Sequence, residues 1–361
     1  MTCARIGVLT GGGDCPGLNA VIRAVTKTAL HRYQLEVVGI RDGYTGLVQP
    51  DMTRPLTDAD VSNILASGGT ILGTSNRANP FQYATDDASP AQDRSRETLA
   101  RIAALGLDAL VVIGGDGTLS IAHRLAQLGV PLVGVPKTID NDLAATDVTF
   151  GFDSALAMAT DAVDRLHTTA QSHHRIMVLE VMGRYAGWIA LRAGLAGGGD
   201  VILIPEIPYD PERICEMITT RRAHGKRFSI VVVAEGAAPR GGALVVKRLV
   251  SGSTDPVRLG GVGQQLANHL ESCLKLEVRV TVLGHLQRGG GPTAFDRWLA
   301  TRFGTTAVDL LVAGQHGHMV ALHGTRIEAV PLGEAVATLR RVDPQGEEVA
   351  SARAVGTSFG D

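Results

Sequence analysis

The sequence predicts an α/β fold with mainly parallel sheets, divided into two α/β domains. Short apolar, strand-like runs alternate with helix-like stretches along the chain, which is the pattern of βαβ units. Several runs are near-continuous in Val, Ile and Leu, as in strands covered on both faces by helices. There are more of them than one ordinary sheet accommodates.

The elements follow in order. "RIGVLT" (Arg5–Thr10) is the first strand; "GGGDCPG" is a turn; "LNAVIRAVTKTALHRY" is a helix; "EVVGI" is the next strand. Further strands are predicted in "LDALVVIG", "VPLVGV", "RIMVLEV", "DVILIP", "FSIVVVAEG" and "EVRVTVLG". "ANPFQYATDDASPAQDRSRE" and "APRGGALVVKRLVSGSTDP" read as surface insertions, rich in Pro, Gly, Ser and charge. The polar stretch from Pro344 onward reads as a poorly ordered tail. No fixed-period repeat is present.

Composition narrows the function classes. The 361 residues suffice for two cores, and the net charge of −2 provides no basic field for nucleic acid. Few aromatics and many glycines disfavour a stacking platform for single strands. Cys3, Cys15, Cys215 and Cys273 are scattered, with no C-x-x-C pair, and read as free thiols in a reducing compartment. The chain enters its first strand with no signal-peptide pattern, and no apolar run reaches membrane-spanning length. The expectation is a soluble cytoplasmic protein with no membrane partner.

Chemistry-bearing residues gather where strands end: Gly13-Asp14, Asp116, Asp140 to Asp142, Met182-Gly183-Arg184, Glu206, Glu235 and His285 to Arg288. In open α/β sheets ligands bind outside the carboxyl ends of the strands. "GGGDCPG" reads either as a tight βα turn or as a phosphate cradle. It is not a G-x-G-x-x-G fingerprint, and no P-loop motif occurs. In "GGDGT", Gly114, Gly115 and Gly117 admit close backbone approach. Asp116 suits Mg²⁺ against phosphate oxygens, and Thr118 can donate to phosphate or cap the helix. The simpler reading, Asp116 as a helix cap, leaves three glycines unexplained.

"PKTIDND" is the densest site. One of Asp140 and Asp142 can accept a hydroxyl proton while the other orients it or sits near metal. The simpler reading is a solvated Asx turn, which does not call for Lys137 and Thr138 at the end of a buried strand. Arg77, Arg175, Arg184, Arg279, His285 and Arg288 suggest clamps on phosphate. His173 and His174 read as loop residues. With no third His or Cys at usable spacing, no zinc site is expected.

Together, "GGDGT", "PKTIDND", "EVMGRYAGW" and "GHLQRGG", in this order, closely resemble the 6-phosphofructokinase family, from the first strand to about Ala313. The resemblance implies phosphoryl transfer from ATP to the 1-hydroxyl of fructose 6-phosphate with Mg²⁺, in a homodimer or homotetramer with shared active sites. It implies two Rossmann-like three-layer α/β domains with a cleft between them: residues 1–151 with 287–337 as the larger, ATP-binding domain, and 152–286 with 338–361 as the smaller, sugar-phosphate domain. Gly13, Arg77, Ala78 and Gly115, Asp116, Gly117 and Thr118 are implied to hold the phosphoryl donor, with Asp116 serving the metal. Asp140 is implied as general base, beside Thr138, Ile139 and Asp142. Met182, Gly183, Arg184 and Glu235 match the sugar-phosphate contacts. His285, Leu286, Gln287 and Arg288 match the 6-phosphate site, which Arg175 and Arg279 reach from a neighbouring subunit.

The donor signature is mixed. Members that use ATP pair GGDG with PGTIDND, and members that use pyrophosphate pair GGDD with PKTIDND; this chain has Gly117 with Lys137 and resembles a mixed-substrate group. Arg23 falls on the family's effector helix, but Lys27 stands where a second Arg is usual. A pyrophosphate-driven transferase, a non-catalytic sugar-phosphate or nucleotide sensor, and another GGDGT kinase acting on NAD or lipid are the alternatives.

Overall fold

The computed structural model describes residues 3–84, 89–242, 244, 246–249 and 257–361. Its strands are β1 Arg5–Thr10, β2 Glu36–Ile40, β3 Thr53–Pro55, β4 Ala109–Gly114, β5 Leu132–Pro136, β6 Ile176–Val181, β7 Val201–Leu203, β8 Ser229–Ala234, β9 Val246–Leu249, β10 Val257–Leu259, β11 Val278–Val282, β12 His318–His323 and β13 Arg326–Pro331. Its helices are α1 Leu18–Tyr33, α2 Thr45–Val48, α3 Ser95–Ala104, α4 Asp116–Gln127, α5 Phe152–His173, α6 Trp188–Ala196, α7 Pro211–Ala223, α8 Val262–Leu274, α9 Ala294–Val312, α10 Leu332–Ala335 and α11 Glu347–Ala354.

Two sheets form, as expected. The larger runs β13-β12-β5-β4-β1-β2-β3 and is parallel except at its edges, where β3 and β13 pair antiparallel. The smaller runs β11-β6-β8-β7 and is parallel throughout. β4, β6 and β8 are buried along their whole length, which is why they read as unbroken apolar runs. One core passes from Val8 and Val111 of the larger sheet through Phe152 of α5 to Leu179 and Val232 of the smaller. α9 lies along α1. Gly304 permits the approach, since a Cβ there would meet the Ala24 methyl at 2.7 Å.

The structure corrects several expectations. β12 and β13 were not among the predicted runs; β12 is short and closed by histidines at both ends. In the first insertion Tyr83 bridges to Gln92, while its residues 85–88 lie outside the described residues. The second contains β9, which pairs antiparallel with β10 just past its end, while its residues 243, 245 and 250–256 lie outside the described residues. The C-terminal stretch is ordered rather than loose. Val349, Ala352 and Phe359 are buried, Ser358 bridges to Val201 beside β7, and Arg353 pairs with Asp361 at 2.6 Å. A few apolar anchors outweigh a polar composition.

The cysteines are corrected as well. Cys215 and Cys273, 58 residues apart, form a disulfide between α7 and α8, while Cys3 and Cys15 are free. The pair is invisible to spacing because adjacent packing of two helices, not sequence proximity, creates it.

Candidate active site

The topology places the expected residues side by side. β5, β4 and β1 are neighbours, so the turns leaving their carboxyl ends lie together. The order also switches there: from β1 the chain proceeds to β2 on one side and later to β4 on the other. The smaller sheet does the same at β6, which has β8 on one side and β11 on the other. Residues 182–184, 235 and 284–288 follow those three strands. Both switch points are where such folds bind ligands.

The glycine-led helix starts around the site divide into two kinds. α5, α6 and α8 begin after glycines, and carboxylates from elsewhere accept their leading N–H groups. Asp296 takes the Ser154 N–H (2.8 Å) and hydroxyl (2.6 Å). Glu206 takes the Gly187 N–H (3.0 Å), and Glu180 takes the N–H groups of Gly261 (3.1 Å) and Gly263 (2.8 Å). α1 and α4 also begin after glycines, Gly17 and Gly115, but no side chain caps either. Asp116 is the first residue of α4 and does not act as its cap. The α4 start therefore keeps N–H groups for an anion.

The glycines of this region have two separate jobs. A Cβ on Gly11 or Gly114 would meet the Thr118 side chain at 2.7 and 2.3 Å, so these two make room for a buried threonine. Thr118 in turn has its carbonyl held by the Tyr44 hydroxyl at 2.8 Å. Gly12 has φ 79° and is tied to the neighbouring loop, its N–H reaching the Ser75 carbonyl at 3.1 Å. That loop carries exposed Arg77 and buried Ala78.

The turn after β5 is a rigid hook. Asn141 takes a left-handed φ of 53°, and its buried Oδ1 accepts the Thr149 N–H at 3.0 Å. The Thr149 hydroxyl donates to the Thr138 carbonyl at 2.7 Å, Ile139 is fully buried, and the Arg340 N–H holds the Asp142 carbonyl at 2.8 Å. Asp140 then stands at the cleft floor, its Oδ1 sealed from solvent with no hydrogen-bond partner. Burial raises its carboxyl above the usual range, while Arg288, Arg184 and Lys137 draw it back. Asp142 is raised by burial and then by Asp140, Asp116 by burial, and Glu235 to about 7 by burial with Asp140 adding.

Lys137 is buried, and its Nζ donates to the Gly13 carbonyl at 2.5 Å. Arg288 arrives from the other sheet. Its Nη1 donates to the Asp14 carbonyl at 3.1 Å, and a Cβ on Gly13 would lie 2.8 Å from it. The Met182 N–H meets Gln287 Oε1 at 3.3 Å, and Gly183 has φ 133°. Gly236 allows the Arg184 carbonyl to come within 1.9 Å of where a Cβ would stand. His285 and Leu286 remain exposed on the rim.

Arg175 and Arg279 are not brought to this site. Arg175 precedes β6 and Arg279 lies near the start of β11, and both pair with Glu277. The six residues of β6 separate Arg175 from Met182, a strand of roughly 20 Å. Sequence reasoning missed Glu180, Asp296 and Arg340, because a carboxylate that caps a distant helix start leaves no local motif.

With this geometry in place, the family comparison is decisive. The phosphofructokinase family model matches residues 5–311. The chain belongs to the phosphofructokinase family. It is 53% identical over 361 residues to "ATP-dependent 6-phosphofructokinase 2" of Clostridium perfringens, covering 99% of this chain and 98% of that one. It is 56% identical over 357 residues to the "ATP-dependent 6-phosphofructokinase" of Chloroflexus aurantiacus J-10-fl, with 99% and 98% covered. It is 55% identical over 341 residues to the "Pyrophosphate--fructose 6-phosphate 1-phosphotransferase" of Streptomyces coelicolor, with 94% and 96% covered. Among solved structures, Pichia pastoris phosphofructokinase in the T-state aligns with TM-score 0.80 at 32% identity over 99% of this chain; the chain spans 37% of that longer one.

The raised Glu235 carboxyl has a consequence for stability. Its folded value of about 7 exceeds the ordinary 4.5, so the native state binds more protons than the unfolded chain between those values. Stability therefore falls as pH rises through that window, and the cost is complete above it. Glu235→Gln should raise the melting temperature of the unliganded protein above pH 7, by an amount equivalent to about 1–3 kcal/mol after allowing for solvent screening. The gain should shrink to nothing below pH 4.5. A melting difference that does not change with pH would remove Glu235 as the origin.

Proposed function

We propose that this family member transfers the γ-phosphoryl group of ATP to the 1-hydroxyl of fructose 6-phosphate, giving fructose 1,6-bisphosphate and ADP, as a glycolytic enzyme of the cytoplasm. The observation that carries this reading is Asp140: a carboxylate with one sealed, unpartnered oxygen, flanked by cations from both sheets. Residues 1–151 with 287–337 serve as the ATP-binding domain and 152–286 with 338–361 as the sugar-phosphate domain. No helix among the described residues is long and apolar enough to cross a membrane.

Phosphoryl transfer needs positioning and charge neutralisation more than covalent chemistry. The uncapped start of α4, with Gly13, Arg77, Ala78 and residues 115–118, holds the phosphates of ATP. Arg184 neutralises charge on the group in transit. Asp140 accepts the sugar hydroxyl proton as the oxygen attacks, with Thr138, Ile139 and Asp142 shaping its loop. Met182, Gly183 and Glu235 orient the sugar, and His285, Leu286, Gln287 and Arg288 receive its phosphate. Asp116 fits a magnesium ion, since its carboxylate stands at the first residue of α4 beside the uncapped N–H groups proposed to hold phosphate, and carboxylate with phosphate oxygens suits a hard cation. When bound, that ion neutralises phosphate charge.

Asp140→Asn should lower kcat by about 10²–10⁴ while sugar-phosphate binding, read by calorimetry, stays close to wild type. Near-normal turnover would exclude Asp140 as the base.

Arg175 and Arg279 are proposed to serve a neighbouring subunit's site in a homodimer or homotetramer, because their own site lies beyond the far end of β6. Arg175→Ala and Asp140→Ala should each be inactive alone, and mixed oligomers of the two should recover part of the activity. Mixing and refolding without recovery counts against the shared site.

The phosphoryl donor is assigned to ATP on Gly117. An Asp at that position would set a second negative charge beside a phosphate. At about 4 Å and an effective dielectric near 20, that repulsion is roughly 4 kcal/mol, about three decades of affinity. Lys137 is already engaged with the Gly13 carbonyl, so its charge serves the protein as well as any phosphate. The wild-type protein should turn over ATP with little pyrophosphate activity, and Gly117→Asp should lose ATP use steeply. Faster wild-type turnover with pyrophosphate would transfer control of the donor to Lys137.

A further inference from the structure

One side-chain cluster lies outside the active site and is used by nothing described so far. On α7, Glu212 and Cys215 are three residues apart; on α8, His269 and Cys273 are four apart. Each pair therefore lies on one helix face, and the two faces meet. The two sulfurs and a ring nitrogen of His269 all lie within 4.8 Å of one another. Glu212 Oε1 is 3.0 Å from His269 Nε2. That nitrogen is shut off from solvent, yet the contact lacks the alignment of a hydrogen bond.

We propose that, when the Cys215–Cys273 bond is reduced, this corner binds a zinc-type divalent metal. Cys215 and Cys273 serve as thiolates, His269 through a ring nitrogen and Glu212 through its carboxylate. The disulfide uses only the sulfurs and leaves a buried imidazole nitrogen unsatisfied, which is costly. A metal uses all four groups. Tetrahedral zinc with S and N ligands at about 2.0–2.3 Å requires ligand atoms roughly 3.3–3.8 Å apart; the three atoms already lie within 4.8 Å of one another, and breaking the S–S bond lets the sulfurs separate to that spacing. Two thiolates and an imidazole favour zinc over magnesium or calcium. Cys215 is buried and Cys273 is exposed, so one sulfur is fixed in place and the other is open to an arriving ion.

The chemistry balances simply. A dithiol reductant transfers two electrons and two protons to the S–S bond and is itself oxidised to a disulfide, leaving two protein thiols; metal binding then displaces those two protons. The resulting tie joins α7 to α8. The start of α8 is held by Glu180 of β6, the strand that leads into Met182. With four protein ligands the site is closed, so its role is structural.

The test uses the purified full chain, reduced with a phosphine and supplied with equimolar zinc, then desalted. About one zinc per chain should remain bound, and the two pair thiols should react with a thiol reagent only after a chelator is added. Substituting cobalt should produce thiolate-to-cobalt absorption. His269→Ala and Cys273→Ser should each weaken zinc binding at least about 100-fold, and Cys3→Ser should leave it unchanged. Both tested positions are partly or fully exposed; His269→Gln gives a second, milder variant if either fails to fold. A reduced wild-type chain that retains no zinc, or zinc binding indifferent to His269 and Cys273, overturns the proposal. So does rapid return to the disulfide in the presence of zinc.

Discussion

A carboxylate placed between two sheets is tolerable only if cations arrive from both, and this constraint organises the cleft. Asp140 loses hydration on the hook after β5, and an isolated buried charge is expensive. Lys137 comes from its own loop, Arg184 from the end of β6, and Arg288 from the turn after β11. Two of the three are held elsewhere as well. Lys137 is pinned by the Gly13 carbonyl and Arg288 by the Asp14 carbonyl. The first turn of the chain therefore sets the cations that surround a residue some 130 positions later. What results is a carboxylate with one oxygen still unsatisfied, a state suited to receiving a proton.

The same logic of distant pairing explains the helix starts. Glycine caps offer no side chain, so leading N–H groups must find acceptors elsewhere. Asp296, Glu206 and Glu180 supply them at α5, α6 and α8, and those helices support the cleft from behind. At α1 and α4 no side chain among the described residues supplies one. The fold thus separates helix starts that it completes from within from starts whose N–H groups stay uncapped.

These features differ in how legible they were. The buried parallel strands could be read directly, since burial on both faces leaves a continuous apolar run. The site loops could be read because strand ends carry the odd polar residues. The glycines could be read only by half: Gly114 and Gly11 proved to be spaces for Thr118, and no sequence shows which neighbour a missing Cβ accommodates. Cys215 and Cys273, and the carboxylate caps, were not legible, because each depends on which helix lies beside which. The tail misled for the opposite reason. Its composition is polar, but Phe359 is fully buried and fixes its end.

The C-terminal segment then takes on a role that composition conceals. The Arg340 N–H holds the Asp142 carbonyl on the hook, and the Arg340 carbonyl accepts the Trp188 indole N–H at 3.1 Å. Two residues on, the Val342 N–H donates at 2.9 Å to Glu206, the carboxylate that also takes the Gly187 N–H. A short stretch of backbone thereby joins the loop bearing Asp140 to the loop that follows Arg184. Asp140 and Arg184, proposed as base and clamp, come from different sheets, and an error of an ångström between such groups is costly in any transfer reaction. Backbone hydrogen bonds fix such a distance more tightly than long side chains, because few torsions lie between their anchors. The strap is therefore best understood as the element that keeps the two halves of the cleft in register.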